Sequence, residues 1–429
     1  MQKKAYIPMH ECRGFTPLLG KDSPTLGAKV TEILLWRLKC RMSMKKSIAE
    51  VLLYIAFSIL IAPIWADTTE VETTAIALPY PAMIGSLAAN SNPFNIEDDL
   101  FGKIYITGAV SSLGLWQNNP MAVNPNSLLD LDNGQLFIQK AKGLLQFYVQ
   151  AGGYSLPSLG ASYLRMDDTT HDYFGPVPVV FIKLVPINNF SIMAGKLSTL
   201  IGAENTFTFQ NLNIERGLLW NQTNAVNRGV QMNYDHEAFS GSIALSDGLY
   251  SGRLNWLSGL VTYAINLKNS LSAVASGNIK HDNKSSIVTD LAHNNSQIYD
   301  LIYSYTSGWL TIYPSLQFTR IPKDPNIGLL ESASTYGVAL ATKFTFNTHW
   351  SITGRAEYID TTGGLNVAYG PGSNAWSLTL TPTYQRGIFF VRGEASLVKA
   401  NNITAGLAFG HDGTSSSQGR LLIETGVLF

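Results

Sequence analysis

The chain has 429 residues, of which 14% are charged and 11% aromatic, whereas roughly 25% of an ordinary soluble domain is charged. This composition is typical of a membrane protein, yet no apolar run past residue 66 approaches the roughly 20 residues that a membrane helix needs. Since only helices and closed barrels satisfy all backbone hydrogen bonds in lipid, a membrane protein of this sequence is expected to be a β-barrel. A large soluble all-β protein is the alternative.

A targeting segment lies near the start of the chain. Met44–Lys46 is a basic start, Val51–Ile64 is apolar except for one serine and one proline, and Ala66 offers a small residue for cleavage. This order of features is typical of a secretory signal peptide, and the apolar run is short for the alternative of a single membrane anchor. Residues 1–41 precede this segment and do not resemble an exported sequence. We therefore assign residues 1–66 to an upstream extension plus a removed signal peptide.

Cleavage at this point changes the composition of the mature chain. The whole chain has 30 basic and 30 acidic residues, and residues 1–66 contain ten of the basic and four of the acidic ones. The mature chain therefore keeps 20 basic and 26 acidic residues, a net charge of −6. Both cysteines, Cys12 and Cys40, are removed, so disulfides, thiol chemistry and cysteine-based zinc sites are excluded. Mild acidity also argues against nucleic-acid binding, which needs a basic face.

Two regions follow the signal. Residues 67–100 are rich in Thr and Pro and are predicted to be a flexible periplasmic leader. From residue 101 to residue 429, segments of about ten residues alternate in polarity between Gly/Asn/Asp/Ser clusters, which is the pattern of strands and turns. In Trp376–Tyr384, for example, the even positions are Trp, Leu, Leu, Pro and Tyr and the odd positions are Ser or Thr. Such alternation, with aromatic residues at the ends, is typical of transmembrane barrel strands.

Connections between these segments alternate between short and long, as periplasmic turns and outer loops do. Pairing them predicts a transmembrane antiparallel β-barrel of about 16 strands. The strands begin near residues 103, 134, 144, 176, 189, 228, 239, 255, 270, 296, 309, 334, 349, 373, 388 and 417. Ile403–Gly410 would make the number odd and is assigned to the last outer loop. Pro314 and Pro382 fall within strands, where we expect bulges or local irregularity because proline lacks a backbone donor.

The last strand carries a terminal signal. Counting back by twos from Phe429 gives Val427, Thr425, Ile423 and Leu421, an aromatic last residue preceded by mostly apolar ones. This resembles the terminal strand of outer-membrane barrels, which closes the barrel and removes both sheet edges. We expect it to be read by the barrel-assembly machinery. An ordinary amphipathic terminal strand is the alternative.

Several motifs resemble one family of outer-membrane proteins. Gly195, Lys196, Thr199, Gly202 and Glu204 match the Gly-basic-x-x-Thr-x-x-Gly-x-Glu pattern that ends a strand hairpin in the β-barrel porins of the OmpL-like kind. Further matches are the strand at 227–234 and two Arg-x-Glu strands, at 353–358 and 391–394. The resemblance covers about residues 100–429. It implies an outer-membrane pore for small hydrophilic solutes.

Charged residues of the lumen are the candidate site. The longest connection inside the barrel, about 199–227, follows the fifth strand and is the third outer loop, which folds into the lumen in many porins. The charges predicted at the constriction, four at this loop and four facing inward by strand parity, are Glu204, Glu215, Arg216, Arg228, Arg355, Glu357, Arg392 and Glu394. Opposed charges would orient polar solutes. The alternatives are a loop packed outside the barrel, and Arg–Glu pairs that only brace the wall.

Chemistry other than permeation has little support. The histidines are scattered through turns and loops, and no nucleophile elbow, His-Glu-x-x-His motif or nucleotide-binding loop occurs, so no catalytic, metal or cofactor residues are expected.

We therefore predict a passive porin in the outer membrane of a Gram-negative bacterium, in contact with lipid, lipopolysaccharide and small hydrophilic solutes. The alternative is a non-conducting adhesin or structural barrel. A transporter for hydrophobic compounds is disfavoured by Ser/Thr/Gln-rich inner faces, and the choice between homotrimer and monomer stays open.

Overall fold

The computed structural model describes residues 85–429 except 100, 101, 123, 287, 289 and 365–367. The predicted signal peptide and residues 67–84 of the predicted leader lie outside these residues. In the described part, seventeen antiparallel strands form one sheet. They are β1 (Phe94–Asp98), β2 (Gly102–Gln117), β3 (Ser127–Lys140), β4 (Leu145–Tyr154), β5 (Val179–Ile187), β6 (Phe190–Ser198), β7 (Val226–His236), β8 (Phe239–Ser246), β9 (Trp256–Asn266), β10 (Asn269–Asn278), β11 (Gln297–Thr306), β12 (Leu310–Ile321), β13 (Ala333–Thr345), β14 (Trp350–Gly363), β15 (Asn374–Arg386), β16 (Phe389–Asn401) and β17 (Ser417–Leu428).

Strands β2 to β17 close into a barrel. Each pairs with its neighbour in the chain, and the seam is made by β17 on β2, from Arg420 opposite Gln117 to Leu428 opposite Ala109. Phe429 extends the seam through two backbone hydrogen bonds with Gly108, of 2.8 and 3.0 Å. The sixteen-stranded all-β barrel predicted from the sequence is confirmed, and so is the role of the terminal strand in closing it.

Side chains divide between two faces as the alternation predicts. In β15, Leu378 and Leu380 are about half exposed on the outer face, whereas Thr379 and Thr381 are buried on the inner face. Aromatic pairs lie near the strand ends, such as Trp350 with Tyr384, whose ring centroids are 4.9 Å apart. A charge on the apolar face would cost roughly 2–4 kcal/mol at mid-membrane. Charges at outward positions, such as Arg320 and Lys399, accordingly lie near the ends of their strands.

Loops follow the predicted alternation. Tight turns join pairs such as β5–β6 and β9–β10, and longer connections join the opposite ends. Ile403–Gly410 lies in the last long connection and contains no strand, as predicted. The short helices are α1 (Met166–Thr169), a π-helical turn at Thr170–Phe174 and 3-10 turns at Thr208–Gln210, Leu219–Gln222, His293–Asn295 and Pro325–Ile327. Among the described residues, no helix is long and apolar enough to cross a membrane.

Each strand proline interrupts the pairing with one neighbouring strand without shifting the register of that pairing. Between β11 and β12 the pairing stops after Ile302–Ser315 and resumes at Tyr305–Ile312 in the same register, on the side of Pro314. Pro382 leaves a similar gap in the β15–β16 ladder. The expected irregularity is present, but the expected bulges are not.

A true bulge occurs in β3 instead, and it explains one wrong prediction. Ser111 pairs with Asn133 and Ser112 with Leu131, so Asp132 is the extra residue. The bulge breaks the period-two alternation inside the strand. The sequence pattern therefore places the strand start near 134, whereas β3 begins at Ser127.

The described end of the predicted leader is structured. Phe94–Asp98 pairs with Gly102–Ile106 as a short hairpin, directly beyond the contact of Phe429 with Gly108. This hairpin covers the part of β2 that β17 does not reach. The leader predicted as flexible over 67–100 thus ends in a strand that the composition did not indicate.

Candidate functional site

The third outer loop (residues 199–225, between β6 and β7) lies inside the barrel. Its backbone is held by carboxylates that the inward faces of two strands present. Glu394 of β16 accepts hydrogen bonds from the N–H groups of Ile214 (2.6 Å) and Glu215 (3.0 Å). Glu357 of β14 accepts them from Leu218 (3.0 Å) and Leu219 (3.4 Å). Two wall carboxylates thus each hold two consecutive peptide groups of the loop.

A glycine allows this close approach. Gly217 lies between the two pairs of donors, and a Cβ at its position would be 2.0 Å from Oε1 of Glu357. Any side chain would therefore push the carboxylate or the loop away. Gly217 donates its own N–H to Glu204 at 2.7 Å, which closes the turn from within the loop.

Arg355 of β14 balances the buried carboxylates. Its Nη1 lies 2.5 Å from Oε1 of Glu204 and 2.8 Å from the backbone oxygen of Glu215, and its Nε lies 3.3 Å from Oε2 of Glu357. The predicted inward facing of Arg355 and Glu357 is therefore correct, and both contact the third outer loop or its carboxylates. One guanidinium between two carboxylates leaves an excess of negative charge.

Two further arginines bind the loop from the closing strands. Nη1 of Arg420, on β17, lies 2.6 Å from Oε1 of Glu215, and Oε2 of Glu215 accepts from the hydroxyl of Ser396 at 3.1 Å. Arg392 of β16 pairs with Glu424 of β17 (Nε to Oε2, 2.9 Å) and donates to the backbone oxygen of Asn211 at 3.1 Å. Breaking a buried pair by removing one partner typically costs about 3–5 kcal/mol, so these contacts fix the loop firmly.

Arg216 joins the third outer loop to the second outer loop (residues 155–178, between β4 and β5). Its Nη2 donates to the backbone oxygen of Pro157 at 2.9 Å, and Ser158 forms a parallel bridge with it. Its guanidinium lies 5.3 Å from the ring centre of Trp220. Burial lowers the pKa of Arg216 to about 10, against the opposing effect of Glu204, so the residue stays charged at neutral pH.

Arg228 is separate from these contacts. It lies in β7, just after the loop, pairs with Asp247 at 2.7 Å and stacks 4.0 Å from the ring centre of Tyr250. The structure therefore brings seven of the eight predicted residues together around the third outer loop and leaves Arg228 at the edge of the group.

Sequence reasoning overlooked several charged residues of the lumen, four of which contact the third outer loop or the residues that hold it. Arg420 and Glu424 alternate with the apolar residues of β17, and the parity argument used for Arg392 would have found them. Asp300 of β11 faces inward by the same rule and accepts from the N–H of Gly202 at 2.9 Å. Asp132 follows no parity because it is the bulged residue, and it binds Thr208 of the loop at 2.5 Å.

Comparison with known proteins places the chain in a family. The model of the family described as "Putative beta-barrel porin-2, OmpL-like" matches residues 103–429. The chain belongs to this family. The resemblance noted from the sequence is confirmed, and the protein is an outer-membrane β-barrel of the porin type. No functionally curated protein matches the chain.

Solved structures with a similar fold include a porin, an outer membrane channel and a further outer membrane protein. An anion-selective porin from Comamonas acidovorans has a TM-score of 0.54 at 13% identity, covering 76% of this chain and 99% of that one. The outer membrane channel DcaP of Acinetobacter baumannii gives 0.51 at 11%, covering 78% and 99%. The loop L8 deletion mutant of OmpT from Vibrio cholerae gives 0.51 at 11%, covering 76% and 99%. At these identities the likeness shows the fold alone.

The family motif residues have local structural roles in this porin-family barrel. A Cβ on Gly195 would lie 2.2 Å from the backbone oxygen of Val180, so only glycine fits there. Lys196 donates to the backbone oxygens of Phe174 and Val177, at 2.6 and 2.7 Å. Gly202 has a φ of +86°, a left-handed conformation that favours glycine. The motif therefore builds the entry of the chain into the third outer loop.

Two cavities lie on either side of the third outer loop. The inner one, of about 410 Å³, is bounded by the loop and by β11, β12 and β13, and Asp300, Thr311, Ser315, Gln317 and Lys343 line it. The outer one, of about 580 Å³, is bounded by the second and third outer loops, and Leu218, Tyr173 and Tyr369 are among the residues that line it. Trp220 and Thr223 line both cavities.

Over the described ranges, no group of three or more His, Cys, Asp or Glu residues is arranged to hold a metal ion. The charged side chains around the third outer loop are instead engaged with each other and with the loop backbone.

Proposed function

We propose that this protein is a passive channel for small hydrophilic solutes and ions, and that the third outer loop is its constriction. The observation that carries the proposal is the pair of cavities, which approach each other at Trp220 and Thr223. A solute would pass from the outer cavity, beside these two residues, into the inner cavity and on to the periplasm. The channel would carry out no catalysis.

The path runs along one side of the barrel. The third outer loop is attached to β14, β16 and β17 through Glu357, Glu394 and Arg420, whereas on β11 the inner cavity stays open beside the bond from Gly202 to Asp300. The wall formed by β11 to β13 presents hydroxyls, an amide and a carboxylate to the inner cavity. Such a surface can replace the water shell of a polar solute, which an apolar wall cannot do.

Seven of the eight predicted residues then divide between two tasks, and Arg228, paired with Asp247, lies apart from both. Glu204, Arg355 and Glu357 line the inner cavity, so they are proposed to meet the solute. Glu215, Arg216, Arg392 and Glu394 line neither of these two cavities and are proposed to anchor the loop.

Lumen charge supports a weak preference for cations. Asp300, Glu204 and Glu357 face the inner cavity, against Arg355 and Lys343. Asp300 is bonded to a backbone N–H and, among the described ion pairs, to no cation. Because charge rings select ions by sign, the carboxylate excess is expected to favour cations modestly.

Assembly partners follow from the exposed surface and the terminal strand. The apolar outer face would contact outer-membrane lipid and lipopolysaccharide, and the strand ending at Phe429 would be recognised by the barrel-assembly machinery. Export would use the signal peptide that follows the upstream extension within residues 1–66. A homotrimer is the association we propose to test by native mass measurement in detergent.

The test is conductance of the refolded mature chain in planar bilayers, with two tryptophan variants of β12. Thr311→Trp fills the inner cavity, whereas Leu316→Trp points to lipid and serves as the matched control. We expect stepwise conductance that Thr311→Trp reduces several-fold and Leu316→Trp leaves unchanged. A folded barrel without conductance would favour the adhesin alternative, and equal effects of both variants would place the path elsewhere.

A further inference from the structure

A segment upstream of the barrel also lies within the lumen. Gly85 and Ser86 line the inner cavity, far along the chain from the other residues that line it. Leu87 is 4% exposed and packs in a cluster with Phe209 of the third outer loop and Phe390 of β16. These residues precede β1, so the chain enters the barrel on the side of the short turns and contacts the loop from below.

Polar contacts fix the segment to the wall as well as to the loop. The Nζ of Lys343, on β13, donates to the backbone oxygen of Ser86 at 2.9 Å. Gln385, on β15, exchanges two hydrogen bonds of 2.8 Å with the backbone N–H and oxygen of Ala88. The Ser86 hydroxyl donates to the backbone oxygen of Asn211. The amide of Gln385 thus pairs with a peptide group as a neighbouring strand would.

The approach to the loop is close enough to require glycine. A Cβ on Gly85 would lie 2.5 Å from Cα of Gln210 and 2.8 Å from the backbone oxygen of Phe209. The two backbones are therefore in direct contact, with no room for a side chain between them. A larger residue at this position would move the segment off the loop.

We infer that residues Gly85–Ala88 form a second constriction element, which narrows the periplasmic half of the passage beneath the third outer loop. This inference rests on the proposed channel function and adds to it a part of the chain outside the barrel strands. The segment both occupies space in the inner cavity and engages the ammonium group of Lys343. Its removal would widen the passage and leave Lys343 facing it without the Ser86 oxygen.

Two measurable consequences follow. Single-channel conductance should rise, because the cross-section beneath the loop increases. Ion preference should shift towards anions, because a cation no longer bonded to the segment then faces the solute. The second effect depends on one side chain, so Lys343→Met should abolish the shift while the increase in conductance remains. A merely structural role of the segment would produce neither effect.

The experiment compares single-channel conductance and reversal potential in a salt gradient for the mature chain, a variant lacking residues 67–88, and Gly85→Val. Ser91→Val, at an exposed position just after the segment, is the matched control. We expect at least a 1.5-fold larger conductance and a shift towards anions in both altered proteins, with the control unchanged. The shift should be absent when the deletion is combined with Lys343→Met.

The outcomes separate this inference from the proposed function. If the mature chain conducts and neither the deletion nor Gly85→Val changes conductance or reversal potential, the second constriction is refuted and the channel stands. If only the altered proteins conduct, the segment closes the passage and the inference holds. If none of the folded proteins conducts ions, both the channel function and this inference are refuted. Gly85→Val keeps the test decisive should the deletion fail to assemble.

Discussion

Gly217→Ala tests how the third outer loop is held. Gly217 has no left-handed φ, so alanine brings no backbone strain, and its whole effect is the contact of the new Cβ with Glu357, 2.0 Å from Oε1. The carboxylate or the loop has to move. The hydrogen bonds from the N–H groups of Leu218 (3.0 Å) and Leu219 (3.4 Å) are then weakened or lost.

The magnitude follows from these two bonds. A hydrogen bond to a charged group contributes about 1.5–3 kcal/mol, and the longer bond to Leu219 adds little. We therefore expect loop attachment to weaken by about 2–3 kcal/mol. Since 1.4 kcal/mol is a factor of ten, the detached state becomes about 30–150 times more populated.

Trypsin measures that population directly. Arg216 is a fully buried residue of the loop, so cleavage after it requires the loop to detach. When opening is fast relative to cleavage, the cleavage rate follows the open population. For the folded barrel in detergent, the rate of this one cut, identified by fragment mass, should rise about 30–150-fold in Gly217→Ala.

The control is Gly354→Ala on β14, next to Arg355, where the nearest atom to a new Cβ lies 4.0 Å away. It should leave the rate unchanged. Equal rates in Gly217→Ala and the unmodified protein would refute the attachment of the loop through Glu357. An equal increase in both variants would show that alanine acts through the barrel in general.

Further predictions concern the wall, the seam, the passage and one outer loop. Arg392→Met should lower the free energy of unfolding in urea by about 3–5 kcal/mol, and adding Glu424→Gln should recover part of the loss because the buried carboxylate is then neutral; no recovery would contradict the pairing. Gly108→Val, whose side chain would meet the Phe429 ring at 2.4 Å, should reduce the fraction that migrates as folded barrel on an unheated gel; an unchanged fraction would contradict tight closure at this seam. Asp300→Asn keeps a side-chain oxygen for the N–H of Gly202 but removes the charge, so the reversal potential should shift towards anions; an unchanged value would place the selecting charge elsewhere. Burial raises the pKa of Asp290, but the hydrogen bond and charge of His293 outweigh this effect and lower the pKa to about 2. Because the folded-state pKa is depressed, the stabilisation of this loop is present above about pH 4 and is lost as pH falls towards 2. Acid-protease cleavage between β10 and β11 should therefore rise over that window in the unmodified protein, and Asp290→Asn should not show this pH-dependent rise.

The alternation of polar and apolar residues, and the turn residues at the strand ends, allowed the barrel to be predicted from the sequence. Lipid on one face and a polar interior on the other impose a period of two on each strand, so the facing of Arg355 or Arg392 could be derived from residue spacing alone. The glycines and asparagines of short turns marked the strand ends. The closing strand could be predicted for the same reason, since Phe429, the last residue of the chain, continues the apolar face of β17.

Contacts that depend on the folded path of loops could not be derived in this way. The bulge at Asp132 places a carboxylate against Thr208, although no periodicity predicts where an extra residue enters a strand. Glu394 was found by parity, but its two backbone donors come from a loop with no repeating pattern. The composition of the leader likewise gave no sign that Leu87 would pack against Phe209.

The most direct test of the account is single-channel conductance of the refolded mature chain in a planar bilayer, with the folded state verified on an unheated gel. The proposed passage along β11 to β13 predicts discrete conductance steps that Thr311→Trp reduces and Leu316→Trp does not. A verified, folded barrel that shows no steps in any variant, including the one lacking residues 67–88, would contradict the channel function.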